Sequence, residues 1–111
     1  MTPLVSAIIT KALDGLALRS VASAQNIANA NSASFRPLNV SFEAELAAAA
    51  ERGEAAVRSL DINAVESGGG QGVRMDLELA TQSATALRYG ALVDILGRQL
   101  ALTRSIIRGG Q

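Results

Sequence analysis

Imidazole and thiol chemistry are closed to this chain, because the sequence holds no histidine and no cysteine. That removes the imidazole base which activates a Ser or Thr nucleophile, the thiol nucleophile, the disulfide and the common transition-metal ligand sets. The carboxylates show no pairing that would set an acid against a base. Tyr89 follows Arg88 in a helical stretch, where packing or interface contact is the expected role rather than acid catalysis. Ser67-Gly68-Gly69-Gly70-Gln71-Gly72 has the glycine content of a phosphate loop. It lacks the Lys-Ser/Thr ending and the strand–loop–helix setting, so it reads as a flexible linker. No catalytic residue, cofactor or metal site is expected, and the chain is not read as an enzyme.

The polar residues with informative spacing are Asn26 and Asn29. Three apart, they share one face at the end of a helix, and each amide offers both donors and acceptors. They are either plain C-terminal caps or groups that bond the following loop or a neighbouring subunit. Ile27 points away from them and continues an apolar stripe.

Two long helices must position these residues. Over 4–29, Val5, Ile9, Leu13, Leu16, Ala24 and Ile27 recur at three- and four-residue steps, with a polar break at Ser20. Thr2-Pro3 suits the helix start as cap and first turn, and Asn29, Asn31, Ser32 and Ser34 suit its end. Over 76–107, the stripe is Leu77, Ala80, Ala84, Leu87, Ala91, Ile95, Leu102 and Ile106, widened by Leu92, Leu96 and Leu100. Asp76 and Glu78 at its start and Arg104 and Arg108 at its end match the helix dipole, and Gly109-Gly110 stops it. Gly90 and Gly97 are either tolerated surface positions or points of close helix approach. Between the helices, Ser41 followed by Phe42-Glu43-Ala44-Glu45 looks like a cap and first turn, and an Ala-rich helix can run to about Leu60.

The composition agrees with helix-on-helix packing. Of 54 hydrophobic residues among 111, 21 are Ala, with no Trp, one Tyr and two Phe. Ala favours helix and buries little surface, so a chain like this is expected to need partners to complete its core. Basic and acidic residues number ten each, which leaves no electrostatic footprint for nucleic acid. A basic amphipathic face for lipid is also missing, since only Lys11 and Arg19 are available in the first helix. The middle is acidic, with Glu43, Glu45, Glu51, Glu54, Asp61 and Glu66 against three Arg. That is either an ordinary solvated surface or an aid to head-to-tail register between subunits. Ala22-Ser23-Ala24 mimics a signal-peptidase site. Lys11, Asp14 and Gly15 interrupt the region before it, however, so no cleaved leader is expected.

The run Gln25-Asn26-Ile27-Ala28-Asn29-Ala30-Asn31-Ser32-Ala33-Ser34-Phe35-Arg36 resembles the motif of the flagellar basal-body rod family, approximately N-I-A-N-A-x-T-P-G-Y-K/R. Asn26, Ile27, Ala28, Asn29 and Ala30 match directly; Ser32, Phe35 and Arg36 are conservative replacements. Ala33 and Ser34 stand where the family has Pro-Gly. The run Ala86-Leu87-Arg88-Tyr89-Gly90-Ala91-Leu92-Val93 resembles the family's last helix in its proximal member, and Phe42-Glu43-Ala44-Glu45-Leu46 fits the same member. The likeness covers about two thirds of the chain, mainly its ends.

The resemblance implies an all-α fold: long N- and C-terminal helices paired as an antiparallel coiled-coil-like hairpin, with a short flexible or partly helical middle. It divides the chain into a first rod helix with the Asn motif (1–36), an acidic and Gly-rich middle (37–75) and a last rod helix (76–111), all in one domain. It implies a structural subunit of the periplasm-spanning rod, exported without a cleaved signal peptide. Expected partners are further copies, other rod proteins, the basal-body adaptor protein and the export gate, with no nucleic acid and no direct lipid binding. The expected subunit interface comprises Ile9, Leu13, Leu16, Asn26, Ile27, Asn29, Leu77, Leu87, Tyr89, Leu92, Ile95 and Leu102. A poorly ordered isolated chain, completed on assembly, is the corresponding expectation. A free-standing helical adaptor or export chaperone that binds a partner helix is the alternative.

Overall fold

The structure is a computed structural model describing residues 1–68, 70 and 72–109. Helix α1, Pro3–Ala28, starts as its sequence dictates: the Thr2 hydroxyl accepts from the Val5 amide at 3.1 Å, and Pro3 occupies the first turn. Asn29 caps its end. The chain then forms strand β1, Leu38–Asn39, helix α2, Glu43–Arg52, helix α3, Glu54–Ser59, strand β2, Val65–Glu66, and helix α4, Met75–Gly109. The long helices α1 and α4 pack against each other in antiparallel fashion, which is the expected hairpin. The molecule measures 64 × 27 × 14 Å.

The middle departs from a flexible connector. Val40, Phe42, Leu46, Ala49 and Val57 are buried with Ala7, Leu16 and Ala22 of α1. Residues 38–60 thus fold onto α1 and supply a core that the composition had suggested would be missing. The expected single Ala-rich helix is split at Gly53, whose φ of 108° suits only glycine. Ser41 is not the cap of α2: Phe42 holds that position without a side-chain cap, because its ring is drawn inward to the core. Lys11 reaches across to the end of α3, its Nζ donating to the carbonyls of Arg58 and Leu60 at 3.1 and 2.9 Å. The tiny sheet was not foreseen, since strands of two residues leave no periodic signal. It pairs Leu38 with Glu66 and Asn39 with Val65. Gly69 and Gln71 of the proposed linker, and Gly110 of the helix stop, lie outside the described residues.

One glycine governs the close approach of the middle to α1, and it is Gly15 rather than Gly90 or Gly97. A Cβ on Gly15 would lie 2.6 Å from the Phe42 ring, whereas one on Gly90 or Gly97 would meet nothing within 4 Å. Gly15→Ala is therefore expected to cost about 1–3 kcal/mol in urea unfolding through overpacking. In a Phe42→Leu background most of that penalty should disappear. An equal penalty in both backgrounds would mean the ring is not what excludes the methyl group.

Candidate assembly interface

The Asn motif sits where three parts of the chain meet. Asn26 is 1% exposed. Its Oδ1 accepts from the Leu38 amide at 2.7 Å, and its Nδ2 donates to the Leu38 carbonyl at 2.8 Å. The side chain thus bonds one edge of β1 as a neighbouring strand would, while β2 pairs along the other. The same Nδ2 donates to Glu78 Oε1 at 2.9 Å, and the Ser23 hydroxyl donates to Glu78 Oε2 at 2.7 Å. These bonds tie the end of α1 to the first turn of α4. Asn29 does only local work: its Nδ2 donates to the Gln25 carbonyl, and its Oδ1 accepts from Ser32. Of the alternatives that the spacing left open, Asn26 takes the bond to the following loop, and Asn29 is a C-terminal cap.

The loop after Asn29 carries a second feature. Ser34 has φ 65°, the one non-glycine residue in the left-handed region among those described. An L side chain is disfavoured there, and glycine is the natural occupant.

A further link runs through Arg19. Its guanidinium donates to the Val40 carbonyl at 2.8 and 3.0 Å and to both oxygens of Glu43, at 2.7 and 2.8 Å, and lies 4.9 Å from the Phe42 ring centroid. That hydrogen bonding holds the Glu43 carboxyl well below the ordinary range, at about 2. The pair supports the fold above the usual carboxylate pKa and gives that support up as the pH falls toward 2.

Helix α4 places the expected interface residues in an unexpected way. The positions it turns toward α1 are Glu78, Gln82, Thr85, Leu92, Leu96 and Gln99, with Tyr89 half-open beside Leu16, Ala17 and Ser20. Their steps of four and three residues are those of a coiled-coil seam, but the first half of that seam is polar. Gln82 and Ser20 exchange hydrogen bonds at 2.8 and 3.2 Å, so the polar break noted in α1 is a matched pair. Of the apolar stripe of α4, only the widening residues Leu92 and Leu96 enter the seam. Leu77, Leu87, Ile95, Leu102 and Ile106 all face solvent, Leu87 at 76% exposure.

The remaining expected interface residues divide. Ile9 and Leu16 are buried within the chain, Leu13 and Ile27 are half-buried, and Leu92 packs at the edge of the core. What stays available to a partner is a row of large apolar side chains along the outside of α4, a surface of the kind that marks protein contacts. Among the described residues no group of acidic side chains could hold a metal ion, and no helix is long and apolar enough to cross a membrane.

Two substitutions separate the anchor from the strained loop. Asn26→Leu leaves the Leu38 amide and carbonyl without partners, so it should cost about 3 kcal/mol in urea unfolding. A loss below about 1 kcal/mol would mean that water replaces the amide at no great cost. Ser34→Gly should raise stability by about 0.5–1 kcal/mol, since it relieves the left-handed backbone; a loss would place Ser34 in a contact of its own. No protein-family model and no curated protein matches this sequence.

Proposed function

We propose that this chain is a structural subunit of the bacterial flagellar basal-body rod. The carrying observation is the outward apolar stripe of α4 on an antiparallel two-helix hairpin. Such a subunit needs a large apolar surface left over after folding, and Leu77, Leu87, Ile95, Leu102 and Ile106 provide one. The strained Ser34 adds independent support, because its left-handed backbone falls at the position where the rod-family motif has glycine. Buried Asn26, the first residue of the motif, gives that motif a physical reason: it closes the loop onto both helices.

In this reading the chain acts mechanically. Subunits pack through α4, the packed tube carries torque, and its lumen passes later subunits outward. Its neighbours are other rod proteins, the adaptor protein and the export gate. A free-standing helical adaptor or export chaperone is the second reading, favoured by an open apolar groove between α1, α2 and α4 that could hold a partner's helix.

The test is retention of the tagged chain in detergent-extracted basal bodies, beside a Leu87→Asp variant. Leu87 touches little of its own chain, so the variant should keep wild-type helicity by circular dichroism and yet be lost from the basal bodies. A wild-type chain absent from intact basal bodies and found free in the cell would overturn the rod reading in favour of the adaptor.

A further inference from the structure

Helix α4 is longer than the helix it packs against. Ser23 meets Glu78 and Ser20 meets Gln82, so each step back along α1 corresponds to one step forward along α4. Pro3 then stands level with about residue 98, and residues 100–109 extend past α1 for about 15 Å. Every one of the described residues from 100 onward is exposed. This projecting end carries Leu100, Leu102, Ile106 and Ile107 over about half its circumference at 100° per residue, with Arg104 and Arg108 beside them. No acidic residue follows Asp94 in the sequence.

Elsewhere on the same chain lies an apolar receptacle. The groove between α1, α2 and α4 has a volume of about 670 Å³ and is lined mainly by Ile8, Ala12, Leu46, Ala47 and Leu92; its two charged lining residues, Glu43 and Arg88, pair with each other at 3.8 Å. It runs beside α2, which has ten residues and is therefore also about 15 Å long. Its alanine wall leaves room for a helix to approach. Glu51, one turn on from Ala47, stands exposed on the outer side of that wall. Neither Glu51 nor Glu45 makes an ion pair among the described residues.

We infer that the projecting end of α4 docks into the α1–α2–α4 groove of a second copy of this chain. This inference rests on the rod reading and names which two surfaces meet. The apolar half of the projecting helix fills the groove, and Arg104 and Arg108 lie along the acidic α2. A helix cannot fold back into its own groove, because α4 is continuous from Met75 to Gly109. Each copy offers one end and one groove, so joined head to tail the contact is heterologous and passes from copy to copy.

A mixing experiment tests this directly. Ala47→Lys blocks the groove, and Leu102→Glu with Ile106→Glu blocks the projecting end. All three positions are exposed, so each variant should keep wild-type circular dichroism. By sedimentation, the wild-type chain should grow in mass with concentration, and each variant alone should stay monomeric. The equimolar mixture should stop at about twice the monomer mass, because only one intact end and one intact groove remain. A mixture that stays monomeric while the wild-type chain associates would overturn the docking and leave the rod reading standing. Variants that associate as the wild-type does, or a wild-type chain that stays monomeric up to millimolar concentration, would overturn it as well. Loss of the wild-type chain from basal bodies is the separate failure that removes the rod reading.

Discussion

A single buried amide joins the parts of this fold. Asn26 bonds both backbone groups of Leu38 and one oxygen of Glu78, so the end of α1, the first strand and the start of α4 are fixed by one side chain. Buried polar groups are costly unless every donor and acceptor finds a partner, and among the described residues no buried side-chain polar atom lacks one. The consequence reaches along the hairpin. Once Glu78 is held by Asn26 and Ser23, α4 has no freedom to rotate about its axis, and Gln82 and Thr85 follow it into the seam.

That polar seam decides which face of α4 is left outside. A helix packed by hydrophobicity alone would bury Leu77, Leu87 and Ile95. This one turns Glu78, Gln82 and Thr85 toward α1 and holds Leu77, Leu87 and Ile95 toward solvent. The core comes instead from the middle of the chain, where Phe42 packs on Gly15 and Val57 and Ala49 close the space behind it. The division of labour is physical. Residues 1–60 supply the buried apolar cluster, and α4 contributes only Thr85 to the buried set among the described residues. An exposed apolar row of this kind is one that marks protein contacts.

Much of the architecture was legible in the residues. Three- and four-residue spacing located both long helices to within a residue or two, and Thr2-Pro3 marked the first start. Their antiparallel pairing was what the rod-family resemblance implied, and the structure has it. The sequence could not reveal the orientation of α4, because hydropathy counts side chains and does not record that Asn26, Ser23 and Ser20 would meet Glu78 and Gln82 across more than fifty residues. Gly15 looked like a mere interruption, since its role depends on a ring 27 positions away. Ser34 showed its importance only through its backbone angle, although the departure from Pro-Gly had marked the place. Asn26 was legible as a residue that could bond the following loop, but its bond to Glu78 of α4 was not.

The central claim is that the outside of α4 is an assembly surface on a fold already complete without it. Amide hydrogen exchange followed across protein concentration addresses both halves at once. The account predicts steady protection over α1 at all concentrations. It predicts weak protection beyond residue 95 in dilute solution, because an unsupported helix end frays, and rising protection there as the chain associates. Exchange beyond residue 95 that is independent of concentration, or protection of α1 that rises together with that of α4, would contradict it.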